Sequence, residues 1–394
     1  MASNYFAKGL KRSALAVALG VCFAGGVQAQ STTGNIYGAA GQGAKVTVQN
    51  KSGLVRSTTA DAQGRYSLTT LPVGEYVVTI ERDGKVVATR NVTVLAGAGV
   101  DVSVGEGGAK TLETVVVTGL SGAAPIDVTG LDTRSVITAQ QLERLPVARS
   151  AEAIALLAPG AVNGAAGFFG GLVSFGGAGV SENAYYVNGF FTGDPLANLG
   201  GFTLPFDAIE QQETFIGGYS AKYGRSDGGV INQIGKRGTN DWHFGAQAVY
   251  TPKSLRGENH DLYYPNLTLQ APYSYENPAL PGKLYQDGKD NTSWSQSYTL
   301  YASGPIVKDR LFFYALGEWT KSEATTPPTN GATPRLIDNT TKNPKIYAKV
   351  DWSITDNHFL EFTYLRDKSD RKGVFYSYDF ANSQKGALIP GTVP

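Results

Sequence analysis

Over 394 residues the chain balances 34 Lys and Arg against 33 Asp and Glu, which excludes a basic nucleic-acid face and an acidic disordered tail. One Cys and one Met beside 49 Gly and 21 Tyr point to β-structure and turns rather than a helical core, in a chain long enough for two to three domains. All four tryptophans, Trp242, Trp294, Trp319 and Trp352, lie in the C-terminal part, so that part faces a different environment.

The chain opens on a targeting segment, residues 1–29. Lys8, Lys11 and Arg12 precede an apolar run, Ala14 to Phe23, too short to span a bilayer, and Val27-Gln28-Ala29 supplies a small-x-small cleavage signal. The mature chain is expected to start near Gln30. The one cysteine, Cys22, falls inside this segment, so thiol catalysis, disulfides and cysteine–metal sites are excluded from the mature chain.

Residues 30–106 read as a small β-sandwich. Short β-rich runs at 45–48, 65–68, 76–80, 86–88 and 92–94 alternate with turn signals at Asp61-Ala62-Gln63-Gly64, Leu71-Pro72-Val73-Gly74 and Asp83-Gly84. The Asp61-x-x-Gly64-x-Tyr66 and Leu71-Pro72-x-Gly74-x-Tyr76 pair resembles the carboxypeptidase regulatory-like domain, a transthyretin-like fold. That likeness is to an accessory sandwich, not to a peptidase. No His-x-x-Glu motif accompanies it, and His243, His260 and His358 lie far downstream.

Residues 107–119 combine a Gly-rich linker with a β-branched run, Leu112-Glu113-Thr114-Val115-Val116-Val117. Such a run between Gly-rich flanks suits β-augmentation, in which a partner's sheet edge recruits it through backbone bonds. From the residues alone, a last sandwich strand or a first strand of the next domain fits equally.

Residues 120–240 carry the most specific wording. Thr138-x-x-Gln141 is a capping-box pattern for a helix reaching Leu145, and Ser150 can cap a second through Leu157. The Gly-rich stretch 160–179 bears Phe168, Phe169 and Phe175. Two readings stay open for it: a plain loop, or aromatics that touch a ligand. Tyr185-Tyr186-Val187-Asn188-Gly189 reads as a strand ending in a type I′ turn. Then come Gly217-Gly218-Tyr219, Tyr223-Gly224-Arg225 and Gly228-Gly229-Val230-Ile231-Asn232. In this order the blocks resemble the plug of TonB-dependent outer-membrane receptors, and Tyr-Ser-Ala-x-Tyr-Gly-Arg resembles the Oar-like subgroup. Gln233-Ile234-Gly235-Lys236 departs from the family's usual Val-x-Thr-Lys. The resemblance implies that the 112–117 run is the TonB box, which pairs with a TonB-type periplasmic coupling protein.

From Asp241 to Pro394 apolar and polar residues alternate in segments of about ten, the pattern of transmembrane β-strands with interfacial aromatics. Five strands are expected, at 242–250, 294–303, 311–319, 346–354 and 359–366. Connections alternate long and short, as extracellular loops and periplasmic turns do in outer-membrane barrels. Five strands cannot close a barrel, and plugged transporters use about 22, so the chain is expected to be a fragment ending in the third extracellular loop. The fold class is mainly β: a sandwich, an α+β plug and the first strands of a barrel.

The resemblance implies outer-membrane lipid around the strands, an N-terminal domain in the periplasm, and an unidentified extracellular substrate, whether carbohydrate, peptide or chelate. It implies no nucleic-acid partner, cofactor, catalytic residue or metal ligand. An adhesion or surface-assembly protein without active transport is the alternative.

Overall fold

The computed structural model of the chain describes residues 32–50, 52–104, 133–164, 171–224, 226–257, 259–264, 280–289, 291–329, 334–355, 358–380 and 382–390. The leader, the Leu112–Val117 run, Phe168, Phe169 and Arg225 lie outside these residues. The chain divides into two compact units. One holds the described residues of 32–50, 55–202 and 211–234, the other those of 52–54, 203–210 and 235–390.

In the first unit, β1 (Thr33–Ala39), β2 (Lys45–Asn50), β3 (Val55–Thr59), β4 (Arg65–Pro72), β5 (Gly74–Arg82), β6 (Lys85–Val94) and β7 (Gly99–Asp101) build the sandwich. Its sheets run β4-β1-β7 and β3-β2-β5-β6. Alternate residues fill the space between them, with Ile36, Val46, Val48, Leu68, Tyr76, Val78 and Ile80 all buried. Each such aliphatic or aromatic side chain contributes about 1.5–3 kcal/mol by leaving water. The runs at 86–88 and 92–94, expected as separate strands, are one strand, β6. Asp83 and Gly84 both take positive φ in the turn before it, and the Thr89-Arg90-Asn91 centre pairs with β5 without interruption.

Seven further strands follow: β8 (Thr133–Thr138), β9 (Ala161–Asn163), β10 (Val173–Phe175), β11 (Ala184–Val187), β12 (Phe190–Phe191), β13 (Ile209–Gly217) and β14 (Val230–Gly235). Five of these form one sheet in the order β12-β11-β14-β13-β8. Its centre is covered on both faces, since every residue of β11 and β14 is buried. Both expected helices form but are shorter, over Ala139–Leu142 and Ala151–Ala155. Ser150 Oγ accepts from Ala153 N at 3.1 Å, the N-cap expected from its position. Within the described part of the 160–179 stretch, β9 and β10 pair with each other.

In the second unit, β15 (His243–Thr251) begins a sheet continued by β18 (Thr292–Val307), β19 (Leu311–Thr326), β20 (Arg335–Thr355), β21 (His358–Asp367), β22 (Asp370–Asp379) and β23 (Gln384–Leu388). Between β15 and β18 lies a small pair, β16 (Leu262–Tyr263) with β17 (Leu284–Gln286). The sheet is open. All five expected strands are present, but three are longer. β20 runs 21 residues: its second half pairs with β21, and its first half pairs with β22. Much of the expected long loop 321–345 is therefore ladder, and the expected terminal loop contains β22 and β23.

Parity separates the faces. Trp352, Ile346, Leu360, Phe362, Tyr364, Trp319, Leu300 and Phe244 are exposed, whereas Tyr347, Lys349, Asp351, Phe312, Tyr314 and Leu316 are buried. The exposed set is the apolar, aromatic-flanked face a bilayer requires.

Candidate coupling and plug site

The plug sheet has an apolar side and a polar one. On one face Tyr185, Ile231, Phe175 and Val173 pack with Ala151 and Ala155 of the second helix. Phe175, expected among ligand-facing aromatics, is 2% exposed and belongs to this core. It points inward because β9 pairs with β10 and turns it over Gly229. A Cβ on Gly229 would lie 2.2 Å from the Phe175 ring, so glycine is the residue that fits there. Asn183 closes this region, donating to Val173 O at 2.6 Å and accepting from Gly229 N at 3.0 Å.

The Gly-Gly-Tyr and Tyr-Gly wording forms an aromatic box. Tyr186, Phe215 and Tyr223 pack with Ala184 and Val230, with Tyr219 against them. Ring centroids are 5.3 Å apart for Tyr186–Tyr223 and 4.9 Å for Phe215–Tyr223. The hydroxyls tie the loop: Tyr186 donates to Gly224 O and Tyr219 to Gly228 O. Asn188 and Gly189 take φ of 48° and 81°, the type I′ geometry their dipeptide demands, joining β11 to β12. Gly217 pairs with Thr133, and Gly218 follows at positive φ. The plug positions expected from the sequence lie, where described, in this sheet and beside its box.

The residues of β13 and β14 that the sequence did not single out carry the polar chemistry. Glu213 is buried and accepts from Asn232 Nδ2 at 2.9 Å and Gln211 Nε2 at 3.0 Å. Arg134 of β8 stands 3.6 Å from it and lies over the Phe215 ring at 5.9 Å. Burial pushes the Glu213 carboxyl up to about 7, against the opposing pull of Asn232, Arg134, Lys222 and Gln211. On the opposite face Gln233 donates to Gln212, which donates to Ala151 O. Among the described residues β8 stands at the edge of its sheet and pairs with β13.

In the second unit the chain leaving the plug is seated on the inner face of the sheet. Tyr347 OH donates to Lys236 O at 3.2 Å and Tyr314 OH to Asp207 O at 3.4 Å. Lys345 Nζ reaches Thr203 Oγ1 at 3.1 Å. Arg237 contacts Glu361 at 2.6 Å and Asp351 at 3.6 Å; Lys349 contacts the same two at 2.8 Å and 3.5 Å. Two cations and two carboxylates thus share one buried cluster. Asn240 brackets the 308–310 turn, donating to Asp309 Oδ1 and accepting from Asp309 N.

This order of domains resembles that of TonB-dependent outer-membrane receptors. Residues 32–105 match the carboxypeptidase regulatory-like domain and residues 127–231 the TonB-dependent receptor plug domain. The chain is 29% identical to the TonB-dependent transporter Oar of Myxococcus xanthus, over 78% of this chain and 28% of that protein. It is 28% identical to "Probable TonB-dependent siderophore receptor PirA" of Acinetobacter baumannii, over 47% of this chain and 21% of that protein. The chain therefore spans about a quarter of the length of these curated relatives. Among solved structures it resembles the outer membrane transporter YddB of Escherichia coli at 15% identity and TM-score 0.44, covering 62% of this chain and 35% of that one. The resemblance to TonB-dependent receptors of the Oar kind, with an N-terminal carboxypeptidase regulatory-like domain, holds across both domains.

Proposed function

We propose that the chain forms the coupling, plug and first wall strands of an active outer-membrane transporter. Substrate meets the extracellular loops and the plug, a TonB-type protein in the periplasm pairs with Leu112–Val117, and the resulting pull rearranges the plug. The sandwich and coupling run then lie in the periplasm, and β15 and β18–β21 in outer-membrane lipid. The work comes from the coupling protein, and the chain itself makes or breaks no covalent bond. The observation that carries this reading is the place of the β-branched run, between the last sandwich strand and β8, an edge strand of the plug sheet. A pull there acts first on the strand with fewest neighbours. Siderophore recognition by a relative puts chelates among the substrate classes, beside carbohydrates and peptides.

The test is substrate uptake by cells carrying the full-length receptor, wild type against Val116→Pro. Proline removes a backbone donor and so blocks strand pairing. The expected outcome is retained surface binding with uptake abolished. Uptake equal to wild type on every substrate that binds would instead favour the adhesion reading.

A further inference from the structure

The stretch that carries the coupling run leaves the sandwich at Val104 and enters the plug at Thr133, and both ends are fastened within one compact unit. At the first end Val102 N donates to Tyr37 O at 2.8 Å and Val104 N to Ala39 O at 2.7 Å. Tyr66 OH adds a 2.6 Å bond to Val102 O. Burial, aided by Asp101, pushes the Tyr66 hydroxyl up to about 12, so it remains a donor throughout the physiological range. At the second end β8 begins, paired along six residues with β13.

The sandwich also touches the plug directly. Leu95 and Ala98, in the bend between β6 and β7, form a buried cluster with Val136 of β8. Val73 and Ala96 form another with Ile234 of β14. Arg134 joins the two sides: its guanidinium donates to Ala96 O at 3.3 Å while facing Glu213 at 3.6 Å. The bend therefore packs by side chains on the edge strand and reaches as far as Ile234 of β14.

We propose that the 95–98 bend of the sandwich is a clamp on β8, and that it must let go before β8 can be drawn from the plug sheet. This rests on the coupled-transport reading above. An edge strand pulled from one end gives up its backbone bonds one after another, each a modest net contribution. A strand held also by Val136 and Arg134 must instead lose an apolar cluster, a bond to Ala96 and a buried ion pair within a few residues. The clamp converts gradual peeling into a threshold, so thermal tugging leaves the plug shut. It also gives the accessory sandwich a task, to hold the plug at rest, that needs no ligand of its own.

The experiment uses the full-length receptor in cells with Ala98→Cys and Val136→Cys together, beside each single variant. Within residues 1–394 the one cysteine is Cys22, and any further cysteine of the full-length receptor is first replaced by serine so that the introduced pair has no competitor. Under mild oxidation the pair is expected to cross-link and uptake to fall to the Val116→Pro rate. Surface binding should persist, and a reductant should restore uptake; the single variants should match wild type. Full cross-linking with wild-type uptake would overturn the clamp, and so would failure of the pair to cross-link in folded, substrate-binding receptor. If Val116→Pro itself transports normally, it is the coupling reading that fails, and the same cells show which of the two has fallen.

Discussion

The chain enters and leaves its plug through two differently built fastenings. At the entry, β8 is held by backbone bonds to β13, by the Val136 cluster with Leu95 and Ala98, by the bond from Arg134 to Ala96 O, and by one ion pair, Arg134–Glu213, whose carboxyl burial drives toward neutrality. At the exit, Arg237 joins Lys349, Asp351 and Glu361, while tyrosine hydroxyls hold the backbone at Asp207 and Lys236. The exit brings two cations and two carboxylates together, whereas the entry has a single buried pair. If the coupling protein pulls at 112–117 as proposed, the entry is the first of the two fastenings to be loaded.

The exit gives the largest expected effect. Glu361→Gln removes one of the two carboxylates that face Arg237 and Lys349, and breaking a buried pair costs about 3–5 kcal/mol. Chemical unfolding of the full-length receptor should show that loss; an unchanged midpoint would mean the cluster is hydrated and holds nothing. Next is Gly229→Ala, where a methyl meets the Phe175 ring and overpacking costs about 1–3 kcal/mol. Its cost should shrink in a Phe175→Leu background, a coupling that a double-mutant cycle reads directly. Tyr347→Phe, losing the bond to Lys236 O, should cost about 0.5–1.5 kcal/mol, and a null effect would show that the seat depends on charge alone.

The entry gives an effect that appears as a slope with pH. The folded Glu213 carboxyl titrates at about 7 against an ordinary 4.5. Between those values the folded state keeps a proton that the unfolded chain releases, so plug stability falls as pH rises from about 4.5 to about 7. Glu213→Gln should flatten that dependence in thermal unfolding followed across the range. A variant with the wild-type slope would place the titrating group elsewhere.

Much of this was legible from residue order. Alternation located the membrane-facing strands and put Tyr347, Lys349 and Asp351 on the face opposite Trp352. Asn188-Gly189 fixed a turn, and Ser150 a helix start. The lengths of β18, β19 and β20 were not legible, because apolar alternation stops where both faces meet water, while the ladder continues through Asn339, Thr340 and Thr341 on backbone bonds alone. Phe175 was misjudged because glycines around it read as a loop, although those glycines are what let its ring pack. The chemistry of the site was hardest to see. Arg134, Glu213 and Arg237 are single charges in unremarkable sequence, and their partners lie 79, 79 and 124 residues away. One clue was available: Gln211-Gln212-Glu213 sits in a segment whose β-pattern leaves no solvent face, so its polar groups had to find one another.

The central claim, that the entry yields before the exit, is tested most directly by pulling the full-length receptor in a bilayer through a handle fused at Leu112–Val117. The first rupture should release chain counted from β8 and stop short of Lys236 and Arg237, with Glu361→Gln lowering only the later step. A single rupture that frees the chain through Asp241, or a first rupture weakened by Glu361→Gln, would contradict it.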